Sequence, residues 1–493
     1  MTLDRYVTKV REGPVDLFRV SRNDYTVEGE VGSFALLSIH EPKLSFGEQY
    51  ISASFPREFK DVRRFYTGDK QLKVGLRFYY SSNDALTRNL LKFLEQGARR
   101  LNFQVDITSI PVPAASQGNL YDYVINDFRR GSVTPGTIIG AAVTPLGKGL
   151  FEKVKAYSIV RGVPTHLINV NRLREIVGKD CKDFQHQNLM RCGAYSAYVL
   201  NNIVQLYAKA GGIPWAPGDT KLLEQIAVVG LSMAKMSEEY IIGTAFSVTY
   251  LGKEVKSFAK AFTFERGVLD KDVLRSRGIY IPRQVAKELL SGINSLCRQY
   301  NIKGYVIFQS PMVLDEELEG VKDALKGFPW ILVHVKSRGF SKRIYDVGTE
   351  DWAPYRGLCV ISKDYLDTFK QTGFLKAVLA VTGIARILRR DSGSSAQEIK
   401  LYKGTPKPLE LEVYVSIDLT NRLDAQHLAV YVSRVVLLLN KLDWEAYTTW
   451  PKTPFVVKYA QRLAQIIARV DEDLREAVLK TTSLGGVELR FIM

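Results

Sequence analysis

The sequence is poor in the residues that build metal clusters and disulfide frameworks. Its 493 residues include only four cysteines and five histidines. Cys181, Cys192, Cys297 and Cys359 form no CxxC pair, so the spacing of a structural zinc site is missing. For Cys181 and Cys192 two readings stand open: a disulfide of the kind found in hyperthermophile cytosols, or buried free thiols. The second is the expected one. Long apolar runs are also lacking. The best candidate, Phe374 to Ile387, is interrupted by Lys376, Thr382, Gly383 and Arg386, whereas a membrane helix needs roughly 20 apolar residues. The opening MTLDRYVTKVREG has no apolar stretch of the signal-peptide kind, so a cytoplasmic protein without a membrane segment is expected. No GxGxxG is present, which removes the usual sign of dinucleotide binding. There is no internal repeat and no low-complexity tract.

Acidic residues are in short supply relative to basic ones. Lys and Arg number 68 against 52 Asp and Glu, a formal charge of +16. This excess suits a polyanionic partner, because each Lys or Arg that neutralises a phosphate releases a condensed counterion. It suits a merely basic surface or an anionic membrane as well, and it says nothing about fold. The hydrophobic content, 46%, is that of an ordinary globular chain. The length leaves room for about three domains.

What is present is an alternation of strand and helix patterns. Residues 1–71 read as short strands and turns, such as Ser33 to Ile39 and Tyr50 to Ser54. From Leu72 the pattern changes. Lys73–Tyr80 predicts a strand, and Ser81 to Asp84 offer an N-cap. A helix follows with Leu86, Leu90, Leu94 and Leu101 near one face. Strands at Phe103–Ile107, Thr137–Val143 and Thr165–Val170 alternate with helices at Tyr121–Arg130 and Lys148–Arg161. That rhythm predicts a parallel, Rossmann-like sheet over 72–220. A second unit, 221–493, offers two adjacent antiparallel strands, Ile241–Tyr250 and Val255–Phe264. An amphipathic helix at Val285–Tyr300, a buried strand at Gly304–Gln309, further strands at Pro329–Lys336, Leu358–Ser362 and Leu409–Ile417, and helices at Ala425–Lys441 and Val456–Val470 follow. A hairpin, a helix, a buried strand and a terminal helix, in that order, predict an RNase H-like domain. The expected class is therefore α/β, with a small β-rich segment in front whose role the sequence does not define.

Four segments, in order, carry a resemblance: AKAGGIPW (Ala208 to Trp215), EEYIIGTAFSV (Glu238 to Val248), GTPKPLELEV (Gly404 to Val413), and LDWEAYTTWPKTPFVVKYAQRLAQII (Leu442 to Ile467). Together they resemble the Argonaute family, at the junction of its MID and Piwi domains, the first Piwi strand, the TPKPL segment and the close of the Piwi domain. The resemblance runs from about residue 72 to the end, with no counterpart of a PAZ domain. It points to the short, MID–Piwi type.

In that family the Piwi domain cuts nucleic acid with carboxylates that hold two divalent metals. The resemblance implies that Ala245, Ser310 and Gln461 stand at those carboxylate or histidine positions, and none of the three can offset a metal's charge. An inactive Piwi domain is expected. A shifted register using Asp315, Glu316 and Glu317 is the alternative, though acidic residues also favour any helix N-terminus. The resemblance also implies a pocket in the MID domain for the 5′ phosphate of a guide strand. Its positions fall on Phe151 and Lys155, His166 in GVPTH, and Gln205 and Lys209 after an extra loop of about Asn171 to Arg191. Lys155, Gln205 and Lys209 keep the family's residue types. Phe151 replaces a Tyr and keeps a stacking ring, and His166 replaces a Gln, its charged form favoured beside an anion. Residues four apart on a helix share a face, so each pair can converge on one phosphate. The family's C-terminal carboxylate, here that of Met493, joins Gln205 in holding Mg²⁺ against the phosphate. Each of these side chains taken alone fits a solvated helix face equally well. Lys336, Arg338, Lys342 and Arg343 form a basic cluster suited to tracking a nucleic-acid backbone, or to a solvated loop.

The resemblance implies a guide-loaded binder, with an RNA guide and a DNA target, acting in defence against viruses or plasmids. Separate effector proteins and Argonaute-partner proteins are its expected partners. A guide-directed endonuclease with unusual metal ligands and a guide-independent basic nucleic-acid binder are the alternatives.

Overall fold

The computed structural model describes residues 25–47, 51–53, 59, 65–67, 71–113, 120–131, 136–144, 149–252, 254–270, 272, 280–336, 344, 353–382, 384–388, 396–400, 408–445, 453–485 and 487–493. Two sheets organise them.

The first sheet has four parallel strands in the order Phe103–Val112, Leu72–Ser81, Thr137–Val143 and Thr165–Asn169. Helix Ala85–Arg99 starts where the Asp84 side chain accepts from the Thr87 amide, and it buries Leu90, Leu91, Leu94 and Ala98. Leu120–Arg130, Leu150–Arg161 and Gly193–Lys209 complete the helical layers, as the alternation predicted. Gly140 sits where strand Thr137–Val143 passes the Phe78 ring. A Cβ there would lie 2.4 Å from that ring, so only glycine fits.

The second sheet has ten strands. At one end Glu254–Glu265, Tyr240–Leu251 and Ile226–Lys235 pair antiparallel with one another in that order, and Gly304–Gln309 and Trp330–Lys336 follow parallel to Ile226–Lys235. Helix Arg283–Cys297 covers one face, burying Val285, Leu289 and Ile293 against Ala245, Leu231 and Ile307. Helices Ala425–Lys441 and Phe455–Arg469 cover the other. The RNase H-like arrangement is thus present, with one change in the strand assignment. Tyr240–Leu251, expected as the first strand, is the second. Ile226–Lys235, a nearly unbroken apolar run buried on both faces, precedes it in this unit and carries no period-2 signal.

Residues 25–39 do not stand apart as a separate unit. Strands Tyr25–Val31 and Phe34–Ile39 extend the far edge of the large sheet, pairing with Leu358–Ser362. Leu44–Ser45 joins Ile51–Ala53 and Ala216–Pro217 in a small sheet at the junction of the two halves. Phe46, Phe59, Phe65 and Tyr207 gather there with Trp215, the last residue of AKAGGIPW. Trp215 is fully buried; its indole N–H donates to the Lys441 carbonyl at 2.8 Å, and its own carbonyl accepts from Trp444 at 3.2 Å. Glu41 enters the same junction and pairs with Arg356 and with Lys441, both without side-chain exposure.

Cys181 and Cys192 are joined by a disulfide, which corrects the expectation of free thiols. A π-helical turn, Ile176–Asp180, folds the inserted loop back so that Cys181 meets Cys192 at the start of helix Gly193–Lys209. Cys297 and Cys359 are buried free thiols. Among the described residues no helix is long and apolar enough to cross a membrane.

Candidate functional site

Helix Leu150–Arg161 begins at Gly149, whose φ of 104° only glycine adopts readily, and Glu152 returns to cap the Gly149 amide at 3.1 Å. Its last turn closes on Gly162, also left-handed. Phe151 and Lys155, four apart, share a face, and the Lys155 ammonium lies 5.8 Å from the Phe151 ring. On helix Gly193–Lys209, Asn202, Gln205 and Lys209 recur at helical spacing. Strand Thr165–Asn169 inserts Thr165 and His166 between the two helices. The structure therefore brings Phe151, Lys155, His166, Gln205 and Lys209 to one place, the junction of the two sheets.

The site is built from buried cations. Lys155 is 2% exposed and Lys209 3%. Lys155 donates to the Thr165 carbonyl at 3.4 Å and to the main-chain oxygen of Met493, itself buried. Lys209 donates to His166 Nδ1 at 3.3 Å, and His166 Nε2 bonds to the Asn202 side-chain oxygen at 3.0 Å. Those bonds fit the neutral imidazole with its proton on Nε2. Burial, Lys209 and Lys155 push the imidazole well below its ordinary pKa, against the pull of Asn202 and Glu445. His166 was expected in its charged form beside an anion; in the structure it positions Lys209 as an acceptor.

The second sheet's terminal helix completes the site. Arg462 reaches the Ile492 carbonyl at 3.2 Å and Glu445 at 2.7 Å. Glu445 also pairs with Lys458 at 2.8 Å, and its carbonyl accepts from Gln205 at 3.5 Å. Arg469–Glu152 and Lys153–Asp471 tie the two halves together beside it. The Lys155 pKa is held well below the usual lysine value by burial and then by Lys209 and Arg462. Lys209 is pulled down to about 8 by burial, with Glu445 raising it and Arg462 lowering it. A buried charge without a matched partner is costly. Glu445 offsets part of that cost for both lysines, and Lys155 also has the Met493 main-chain oxygen.

A pH dependence follows. Affinity for a phosphate end falls as pH rises through about 8, because Lys209 then loses its charge in the guide-free protein. Folding stability without an anion moves oppositely. The unfolded chain holds the Lys209 proton up to the ordinary lysine pKa of 10.5, so stability rises between about 8 and 10.5. Binding and thermal unfolding measured across pH 7 to 10 check both signs. Parallel pH profiles would contradict them.

The expected nuclease positions divide. Gln461, exposed, follows Ala460, whose carbonyl accepts from Thr244 Oγ1 at 2.8 Å. Gly230 lets that helix approach strand Ile226–Lys235, since a Cβ there would lie 2.2 Å from the Val456 carbonyl. Leu231 pairs with Gln309, so Ser232 and Ser310 leave the ladder side by side at that end. Ala245 is not with them. It points to the opposite face, into the apolar cluster under helix Arg283–Cys297. The residue beside Ser310 is Ser232, two after Gly230 on strand Ile226–Lys235. Beside Ser310 stands His334, whose Nε2 bonds to the Ser310 carbonyl at 3.2 Å and whose Nδ1 bonds to Glu412 at 2.7 Å.

The alternative acidic set does not converge. Asp315 and Glu316 are exposed at the start of helix Asp315–Ala324, while Glu317 is fully buried beside Gln309, which donates to it at 3.1 Å. Among the described residues no group of three or more His, Cys, Asp or Glu is placed to hold a metal ion. Burial pushes the Glu317 carboxyl well above the usual range, with Gln309 and the Leu314 backbone opposing and Glu316 adding. Its proton can then satisfy Gln309 Oε1, otherwise without a partner. Such a group stabilises the fold below its unfolded pKa, and that contribution is lost as pH rises through the folded one. Glu317→Gln is expected to raise stability at pH 8 by about 1 kcal/mol and to flatten its fall with rising pH. Denaturant unfolding at pH 5 and pH 8 measures this, and an unchanged pH slope would refute it.

Lys336 of the expected basic cluster is paired with Glu410 at 2.9 Å and Glu412 at 2.6 Å. Arg338, Lys342 and Arg343 lie outside the described residues, as does the start of the TPKPL segment.

A four-stranded parallel sheet joined to an RNase H-like sheet, with a buried cationic pocket between them, defines an Argonaute-like fold. Solved structures agree. The fold is similar to that of Drosophila Piwi, with a TM-score of 0.58 at 13% identity over 88% of this chain and 54% of that one. It is similar to that of A. aeolicus Argonaute, with a TM-score of 0.56 at 15% identity over 88% of this chain and 53% of that one. The chain spans about half the length of each. No protein-family description matches the sequence, and no curated protein does.

Proposed function

We propose that the chain is a short Argonaute of the MID–Piwi type that holds the phosphorylated 5′ end of a guide strand in the pocket of Lys155, Lys209 and Arg462. It uses that guide to bind a complementary strand without cutting it. The observation that carries the reading is the burial of Lys155 and Lys209 beside Phe151, a ring able to stack on the first base, with Arg462 of the other half at their partly exposed rim. A dianionic phosphate returns to these cations the electrostatic energy that burial removes. Gln205 supplies an amide at the rim, and His166 sets the direction of Lys209. Specificity then comes from base pairing to the guide, the protein contacting mainly the backbone.

Inactivity is part of the proposal. Ser232, Ser310 and Gln461 offer no carboxylate at the end of the sheet where a nuclease of this fold needs them. The guide is proposed to be RNA and the target DNA. Separate effector and Argonaute-partner proteins would convert recognition into defence against viruses or plasmids.

Magnesium fits the guide pocket poorly. Of its two expected ligands, Met493 gives its oxygen to Lys155, and Gln205, whose Nε2 donates to the Glu445 carbonyl, keeps only its side-chain oxygen for a metal. The cations crowding the pocket repel a divalent ion, so the chain's own side chains neutralise the phosphate.

Binding of short oligonucleotides tests the reading. A 5′-phosphorylated strand is expected to bind at least about tenfold tighter than its 5′-hydroxyl counterpart, with or without EDTA. Equal affinity would refute the pocket and favour a guide-independent binder. A guide-loaded sample with Mg²⁺ or Mn²⁺ should leave the complementary strand intact; scission abolished by chelation would instead establish the endonuclease. Sequencing the nucleic acid that co-purifies would identify guide class, length and first base.

A further inference from the structure

The cationic pocket already contains a carboxylate of its own. Glu445 Oε1 accepts from Arg462 at 2.7 Å and Oε2 from Lys458 at 2.8 Å. Its neighbour Asp443 is different in kind. The Asp443 side chain is 1% exposed and pinned by Lys458 at 2.6 Å, the Tyr459 hydroxyl at 3.1 Å and the Glu445 amide at 3.2 Å. Glu445 has 15% of its side chain exposed, so it lies at the accessible rim of the cluster rather than in its interior. Burial raises its pKa, but Arg462, Lys458 and Lys209 together hold the carboxyl well below the usual range. It also acts electrostatically on Lys155, Lys209 and His166, the side chains offered to the guide's end.

We propose that Glu445 is an internal stand-in for the guide's terminal phosphate. Its carboxylate engages Arg462 and Lys458 while no guide is bound, yields Arg462 to the phosphate on loading, and thereby sets how strongly the pocket distinguishes a phosphate end from a hydroxyl end. This rests on the guide-pocket reading above. Arg462 and Lys458 bond to the side-chain carboxylates Asp443 and Glu445, and Lys155 and Lys209 feel the charge of Glu445 from further off. Only Glu445 has the exposure to be exchanged for an incoming anion. Guide binding becomes an exchange of one anion for another, and its strength is the difference between the two. A neutral end cannot displace the carboxylate, so it leaves the pocket closed on itself.

The full chain carrying Glu445→Gln, and separately Glu445→Ala, tests this with inorganic phosphate as the probe. In phosphate-free buffer both variants are expected to melt below the parent, because the cations lose a counter-charge. Added inorganic phosphate should raise their melting temperature more than the parent's, most for Glu445→Ala, where the shortened side chain leaves room for the ion. Glu445→Gln should bind a 5′-phosphorylated oligonucleotide about tenfold tighter than the parent, with 5′-hydroxyl affinity unchanged. A merely structural Glu445 gives the opposite pattern: equal phosphate shifts in all three proteins and weaker 5′-phosphate binding in the variants. Either result would overturn the stand-in role. If the parent prefers a 5′ phosphate and Glu445→Gln does not sharpen that preference, only the role of Glu445 fails. If the parent shows no preference, the guide pocket itself fails.

Discussion

Replacing Lys155 and Lys209 together by alanine is expected to weaken binding of a 5′-phosphorylated guide by at least about 100-fold, since truncating buried charge partners costs on the order of 2–5 kcal/mol each. The two lysines come from different helices and approach the pocket from different sides. Lys155 stands over Phe151, while Lys209 is aimed by His166, itself fixed by Asn202. Both are buried and uncomfortable as charges, so the double variant should fold at least as stably as the parent without an anion. That separates binding from folding. Thermal unfolding and fluorescence anisotropy on the same samples give both numbers. Undiminished affinity in the folded double variant would remove the pocket as the guide's anchor. The 5′-hydroxyl strand serves as control: its weaker binding should change little, because it never uses these cations.

The second large effect is structural. Trp215→Ala is expected to cost about 3–5 kcal/mol, the range for truncating a fully buried tryptophan. Trp215 packs against Phe46 and Phe59 of the N-terminal segment and donates to the carbonyl of Lys441 in the second unit. Its loss therefore loosens three parts of the chain at once. The guide pocket straddles the same junction, so phosphate-dependent binding should fall as well, although Trp215 does not face the pocket lysines. Urea unfolding measures the first effect and oligonucleotide binding the second. A variant as stable as the parent would contradict the junction described here.

The first sheet was legible because its signals are local. Strand and helix alternate with turns and caps at short range, and Asp84 and Gly149 mark helix starts a reader can see. The pairs Phe151–Lys155 and Gln205–Lys209 were legible for the same reason, since spacing of four is a helix face. Arg462 and Glu445 were not foreseen. They lie some 240 to 300 residues from the lysines they meet, and nothing in their neighbourhood points to helix Leu150–Arg161. The spacing of Lys458 and Arg462, one turn apart on the closing helix, was the available hint.

The nuclease end of the second sheet shows a different kind of failure. Ile226–Lys235 has buried residues on both faces, so it carries no alternation to mark it as a strand. The next segment, Tyr240–Leu251, carries the recognisable pattern and leads to Ala245, which pairs with Leu231 and faces away from Ser232. One strand's displacement moved the side chain to the opposite face of the sheet. The disulfide between Cys181 and Cys192 stood as the less expected of two readings, because sequence separation does not show that a π-helical turn folds the loop back on itself.

By itself the sequence determined the two α/β units, the basic balance and the helix faces that carry Phe151, Lys155, Gln205 and Lys209, because these follow from composition and short-range periodicity. Only the tertiary structure decided that Arg462 and Glu445 complete the pocket, that His166 is held neutral, that the N-terminal strands extend the large sheet, and that Ser232 accompanies Ser310. Each of these depends on contacts between residues far apart in the chain. Burial and the electric field at a side chain are properties of the packed whole, and no local pattern encodes them.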